Sequence, residues 1–294
     1  MVHRVPPALR RAPAVAALCG ALVLAVGGCT ASDGEDGAAP DRATAPSATG
    51  PGREAKVELP EPGIGFDYQI GGAYPPPRGV AAVSRDRTAK PAPDVYNICY
   101  VNAFQAQPDA ADWWQEHAPD LLLRDDDGTP VVDRDWDEIL LDTSTADKRE
   151  QLAGIVGKWI DGCADAGYRA VEADNLDSDE RSDGLLTADD NVAFGELLAA
   201  RAHAAGLAIG QKNAAALAGR GRDVGFDFAV AEECGQYDEC GAYADAYDDR
   251  VFVIEYRADG LAAACEEWGD RLSVVLRDLD VVPQGEAGYR RRTC

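Results

Sequence analysis

The stretch YRAVEADN, residues 168–175, decides how the rest of the chain is read. Ala170 and Val171 begin a buried strand, and Glu172 and Asp174 place two carboxylates at its C-terminal end with Asn175 beside them. Side chains two apart on a strand share a face, so both acids point the same way. Half-burying unpaired carboxylates costs several kcal/mol unless something compensates. A strand end facing a cleft is where chemistry tolerates that cost. The structural alternative is a turn or capping pair, since Asp and Asn are ordinary turn formers. The neighbouring segments decide between the two.

Working outward, short apolar runs read as strands at residues 66–70, 80–84, 96–101, 138–141, 170–174, 207–212, 228–232, 251–255 and 273–276. In residues 147–166, Leu152, Ile155, Val156, Trp159, Ile160 and Cys163 recur at spacings of three and four, the stripe of an amphipathic helix, and Gly167 stands where a C-terminal cap belongs. A second helix starts at Thr187, whose spacing to Asp190 fits a capping box, and stops at Gly206. His203 lies on it as a structural or surface residue. Shorter helices are expected at 241–247 and 261–268. Strand, helix, strand repeated over this length predicts α/β with a parallel sheet, a single-domain (β/α)8 TIM barrel over residues 59–294. The candidate strands are one more than a barrel needs. A doubly wound open sheet is the alternative, but neither G-x-G-x-x-G after the first strand nor a P-loop appears.

The N-terminus differs in kind. Arg4, Arg10 and Arg11 flank or precede an apolar run over 12–26 that closes on Gly27, Gly28 and Cys29, which predicts a signal peptide over 1–28. It resembles a bacterial lipoprotein signal, with Cys29 as the lipidated first residue of the mature chain. Residues 29–58 are rich in Ala, Gly, Ser, Thr, Pro and Asp, too poor in large apolar side chains to offset chain entropy, and read as a disordered linker. The expectation is an exported protein, anchored at the cell surface through Cys29 or secreted. The formal net charge of −24 makes nucleic acid and anionic lipid poor partners, leaves the membrane to the lipid anchor alone, and favours a cationic ligand. A monomer is expected.

With Cys19 in the signal and Cys29 lipidated, Cys99, Cys163, Cys234, Cys240, Cys265 and Cys294 remain, an even set in an exported chain. The short loop favours Cys234 with Cys240. Cys265 with Cys294 would pin the terminus, which leaves Cys99 with Cys163; other pairings stay open.

If the chain is a barrel, its active site lies at the C-terminal strand ends. Those ends carry Asp67 and Tyr68, Tyr100 and Asn102, Asp142, Glu172 with Asp174 and Asn175, Lys212 and Asn213, Glu232 and Glu233, and Glu255 with Tyr256. Acids on several separate strands, with a lysine and aromatics, describe a carboxylate-lined pocket. His3, His117 and His203 are isolated, so a metal site is not expected. A Ser-His-Asp site lacks a nucleophile elbow. Paired carboxylates near aromatic side chains suit glycoside hydrolysis, in which one acid protonates the leaving oxygen while the other attacks or activates water.

VEADN at 171–175, GQKNA at 210–214, FDFAVAEECGQYDEC at 226–240, VFVIEY at 251–256 and FDYQIGG near the start resemble the motifs of glycoside hydrolase family 114, the endo-α-1,4-polygalactosaminidases. The resemblance implies a TIM barrel, endo-hydrolysis of cationic α-1,4-galactosamine polymers and no cofactor. It places the catalytic pair at Asp174 and Glu232. Substrate-binding roles are expected for Asp67, Tyr68, Tyr100, Asp142, Glu172, Asn175, Lys212, Asn213, Glu255 and Tyr256. Ala173, Ala231 and Glu233 stand where the family's motifs have Pro, Asn and Gln. Strand alternation turns Glu233 away from Glu232. Two other readings fit the same residues: a non-catalytic sugar-binding lipoprotein on this barrel, and a hydrolase of a different aminosugar or galactose polymer.

Overall fold

The computed structural model describes residues 57–294; the expected signal peptide, Cys29 and all but the last two residues of the expected linker lie outside the described residues. Val57 and Glu58 already touch the folded body. Tyr96 donates its hydroxyl to the Glu58 carbonyl at 2.7 Å, and Arg169 pairs with the Glu58 carboxylate at 2.5 Å.

The strands are β1 (Phe66–Tyr68), β2 (Ala82–Asp86), β3 (Tyr96–Asn102), β4 (Gln105–Ala106), β5 (Val132–Asp133), β6 (Glu138–Leu140), β7 (Ala170–Asp174), β8 (Ala208–Lys212), β9 (Phe228–Glu232), β10 (Val251–Glu255), β11 (Ser273–Arg277) and β12 (Arg291–Thr293). The helices are α1 (Ala111–His117), α2 (Ala146–Ala166), α3 (Ala188–Ala204), α4 (Ala218–Val224), α5 (Cys234–Tyr237), α6 (Cys240–Tyr247) and α7 (Ala258–Trp268). One sheet runs β1-β2-β3-β7-β8-β9-β10-β11-β12; all its pairings are parallel except the last, where β12 returns antiparallel on β11. The sheet curls on itself. Phe66 of β1 lies 4.7 Å from Phe252 of β10, ring centre to ring centre, and Arg291 of β12 donates to the Phe66 carbonyl at 3.0 Å. The result is a TIM-barrel-like α/β fold.

Period-two alternation divides the sheet's side chains between two cores. Phe66, Ala82, Ile98, Ala170, Ala208, Phe228, Phe252 and Val275, one from each parallel strand, fill the inside. Their neighbours Val101, Val171, Ile209, Ala229, Val253 and Leu276 pack outward against the helices. Position 210 belongs to the inward series of β8, and Phe228 leaves room there only for glycine: an added Cβ would sit 2.6 Å from that ring.

The amphipathic stripe expected before the central strand is α2, with Leu152, Val156, Ile160 and Cys163 buried and Gly167 ending it at φ 94°. α3 starts at the expected capping box of Thr187 and Asp190. Two expectations change. Residues 138–141 do not join the main sheet. They form β6, centre of a small antiparallel sheet with β4 and β5 that grows from the end of β3. Among the described residues, the β1–β2 and β2–β3 connections are loops without a helix, so strand–helix alternation begins only later.

The three disulfides are Cys99–Cys163, Cys234–Cys240 and Cys265–Cys294. The first ties β3 to α2 and the last ties the C-terminus to α7. Cross-linking stabilises chiefly by limiting the unfolded chain, and more so for longer loops. The separations of 64 and 6 residues correspond to about 4 and about 2 kcal/mol. In denaturant melts, paired substitution of Cys99 and Cys163 by Ala should therefore cost more than the same change at Cys234 and Cys240. The reverse order would refute the loop-entropy account.

Candidate active site

The inward series of each strand ends in polar side chains. On β7, Ala170 is followed by Glu172 and Asp174; on β8, Ala208 leads to Lys212; on β9, Phe228 and Val230 lead to Glu232. Just past these strands, Asn175, Asn213 and Glu233 take left-handed backbone angles, φ 71°, 52° and 59°. Asn adopts this conformation at little cost, whereas Glu pays for it, and such strain gathers where loops must turn sharply at a site.

Lys212 is the hub. Its Nζ lies 2.9 Å from Asp174 Oδ1, 3.3 Å from Glu172 Oε1 and 3.3 Å from Glu232 Oε2. At an effective dielectric of about 20, each such contact is worth roughly 5 kcal/mol of Coulomb attraction, against a desolvation penalty of several kcal/mol for the ammonium. Attraction wins. Burial opposes the lysine's charge, but Asp174, Glu232 and Glu172 hold its pKa well above the ordinary value.

The carboxylates have different surroundings. Burial would push Asp174 up, yet Lys212, the Tyr100 hydroxyl (2.6 Å) and the Asn175 amide (2.8 Å) hold it below the usual carboxylate range. Glu172 is fully buried, and that burial pushes its pKa up although Tyr68 (2.8 Å) and Ser84 (2.5 Å) donate to it. Glu232 is clasped by Asn213, whose amide nitrogen donates to Oε2 (3.1 Å) while its oxygen accepts the Glu232 backbone N–H (2.9 Å); Tyr256 donates to Oε1. Burial, reinforced by the nearby carboxylates, raises Tyr68, Tyr100 and Tyr256 well above their ordinary range, so all three remain donors.

The structure thus brings Tyr68, Tyr100, Glu172, Asp174, Lys212, Asn213, Glu232 and Tyr256 together. Asn175 flanks them, donating to Asn102 Oδ1 at 3.0 Å. Three expected site residues lie elsewhere. Asp67 is buried at the β1–β11 seam, accepting from Tyr74 (2.7 Å) and Gln69 (2.9 Å) and facing Arg291 at 3.1 Å. Asp142 accepts from Ser144 and pairs with Lys148 in the first turn of α2. Glu255 accepts the Gly235 N–H at 2.7 Å beneath α5 and α7, and burial pushes its pKa up to about 7. The reason is alternation: Ile254 and Tyr256 point inward, so Glu255 cannot.

Ser84 and Glu138 are site neighbours that the sequence reading missed. Ser84 follows Ala82 by two and was findable from the alternation. Glu138 arrives on the small sheet, where Asn102 donates to its Oε2 at 2.8 Å, and no local pattern announces it.

Replacing Lys212 by Met should leave the carboxylates uncompensated and destabilise the fold by about 3–5 kcal/mol at neutral pH. The depressed Asp174 pKa stabilises the fold above the unfolded pKa, and that contribution is lost as pH falls through the folded value. The gap between wild type and Lys212→Met in urea melts should therefore narrow on acidification. A gap independent of pH would contradict the ion-pair account.

A family model described as glycoside-hydrolase family GH114 matches residues 46–294. Among solved structures, Aspergillus fumigatus Ega3 in complex with galactosamine superposes with a TM-score of 0.66 at 23% identity, covering 81% of this chain and 98% of that one. The glycoside hydrolase domain of PelA from Pseudomonas aeruginosa gives 0.52 at 14% identity, covering 76% and 97%. At these identities the two likenesses speak for the fold. A search of curated protein sequences finds no match.

Proposed function

Because the chain belongs to glycoside hydrolase family GH114, we propose that it is an exported endo-glycosidase that cleaves α-1,4-linked galactosamine polymers, with Asp174 and Glu232 as its carboxylate pair. The observation that carries this reading is their convergence, from β7 and β9, on one lysine at the C-terminal ends of the strands. Galactosamine bound to Ega3 supports the substrate class, as does a net charge of −24, which attracts a polycation. Three disulfides suit an oxidising compartment, in keeping with the N-terminal signal reading.

Asp174, kept ionised, is the nucleophile. It attacks the anomeric carbon as Glu232, whose side chain is 25% exposed against 13% for Asp174, gives its proton to the departing glycosidic oxygen. The attack uses up the Asp174 charge while proton transfer leaves Glu232 a carboxylate, which with Glu172 remains beside Lys212. Water then attacks the anomeric carbon as Glu232 takes its proton, and the glycosyl–Asp174 bond breaks, releasing the sugar and restoring both carboxyl groups.

Purified protein should release oligosaccharides from deacetylated galactosamine polymer, which separates an enzyme from a sugar-binding protein on the same scaffold. Asp174→Asn and Glu232→Gln each remove one of three carboxylates beside Lys212, so each should lower the melting temperature modestly while keeping a cooperative fold, and each should lower kcat on the order of a thousandfold. Near-normal turnover in either would remove that residue from the pair.

The nearest oxygens of Asp174 and Glu232 lie 2.9 and 3.3 Å from a single nitrogen, so they are closer than the roughly 6.5 to 9.5 Å that makes room for an attacking water. Retention is the expected outcome: NMR of the first product should show the α-anomer, and initial release of β would contradict the double-displacement scheme.

A further inference from the structure

Glu138 lies beside the candidate pair but outside the Lys212 cluster. It begins β6, and its neighbour Asn102 is in register with Asp174 across the β3–β7 pair. Asn102 donates to Glu138 Oε2 at 2.8 Å, and its own carbonyl oxygen accepts from Asn175, the residue after Asp174. With the Gln105 amide oriented to satisfy its neighbours, Gln105 donates to the same Oε2 at 2.7 Å. Both partners are neutral amides. Among the described residues, no hydrogen bond or ion pair reaches the other oxygen, Oε1.

The nearby cation attracts this carboxylate through space but pairs directly with other acids. Arg181 is engaged by Asp133 at 2.9 Å and Asp177 at 2.8 Å. Glu138 is therefore a half-buried carboxylate with no directly paired cation, next to the charge of Asp174. Burial, with Asp174 and Asp133 adding to it, outweighs the Asn102 hydrogen bond and the more distant Arg181 charge and pushes its pKa up to about 7. A bound cation would relieve that penalty and restore the ionised form. The hairpin turn leading to it carries Trp136, 46% exposed, and an exposed indole is a surface on which a sugar ring can lie.

We propose that Glu138 Oε1 receives the 2-ammonium group of the sugar bound beside the cleaved linkage on the β3 side, and so selects a free amine over an N-acetyl group at that subsite. The inference rests on the reading of this cleft as a galactosaminidase site and assigns its selectivity to one residue. An ammonium gives Oε1 a charge-assisted hydrogen bond. An acetamido group offers one neutral N–H and sets a methyl and a carbonyl against a carboxylate, which leaves the charge uncompensated.

The test compares kcat/KM on fully deacetylated and on partly N-acetylated α-1,4-galactosamine oligosaccharides. Wild type should prefer the free amines. Glu138→Gln keeps an oxygen for Asn102 and removes only the charge; it should cut the preference ratio at least tenfold, chiefly by raising KM on the deacetylated substrate. Glu138→Asp keeps the charge but withdraws it and should fall between the two, which preserves the test if the Gln variant does not fold. A ratio within twofold of wild type in folded Glu138→Gln, or, if that variant does not fold, in Glu138→Asp, overturns the assignment and leaves Glu138 a framework residue. If wild type cleaves neither substrate, the galactosaminidase reading fails and this inference falls with it.

Discussion

One ammonium among three carboxylates is the contact on which the centre of this protein depends. Without Lys212, the inward acids of β7 and β9 would repel one another inside a water-poor barrel mouth. With it, Asp174 is kept ionised while Glu172, deeper and fully buried, is pushed the other way. The split lies between the two acids of β7, so Asp174 is held as the anion beside a deeper Glu172 whose pKa is raised. The tyrosines add to this. Each is held protonated and each donates to a different carboxylate, so orientation is fixed without adding charge.

The geometry depends in turn on closing the sheet. Strands β1 and β11 meet through a buried polar seam: Arg277 donates to the Val282 and Arg290 carbonyls at 2.7 and 3.1 Å, and Arg291 reaches both Asp67 and the Phe66 carbonyl. The Cys265–Cys294 bond fixes β12 at this seam. A residue that looked like a ligand-binding acid, Asp67, thus belongs to the closure. Its chemistry suits either role, and only its position at the seam distinguishes them.

The small sheet of β4, β5 and β6 adds a wall where an ordinary barrel has a loop. It carries Glu138 and Asp133 toward the β3–β7 edge and engages Arg181. Because it lies outside the main sheet, its residues escape the strand-by-strand logic that finds the rest of the site. The charge balance of the cleft is therefore set by two elements: the barrel's own strand ends, and this separate small sheet.

Much of this was legible in the chain itself. The candidate strands, the α2 stripe with its Gly167 stop, the Thr187 capping box and the strand-end positions of Asp174, Lys212 and Glu232 follow from local periodicities of two and of three to four residues, which hydrophobic burial enforces directly, while the pairing of Asp174 with Glu232 came from the family resemblance. Alternation also held the answer for Ser84, inward, and Glu255, outward, had it been applied to every strand. What only the tertiary structure decided were contacts between segments far apart in sequence: Asp67 with Arg291, Asn102 with Glu138, and residues 138–141 in a separate sheet. Those pairings depend on where the main sheet closes and where the small sheet folds back, and no periodicity in one segment encodes the position of another.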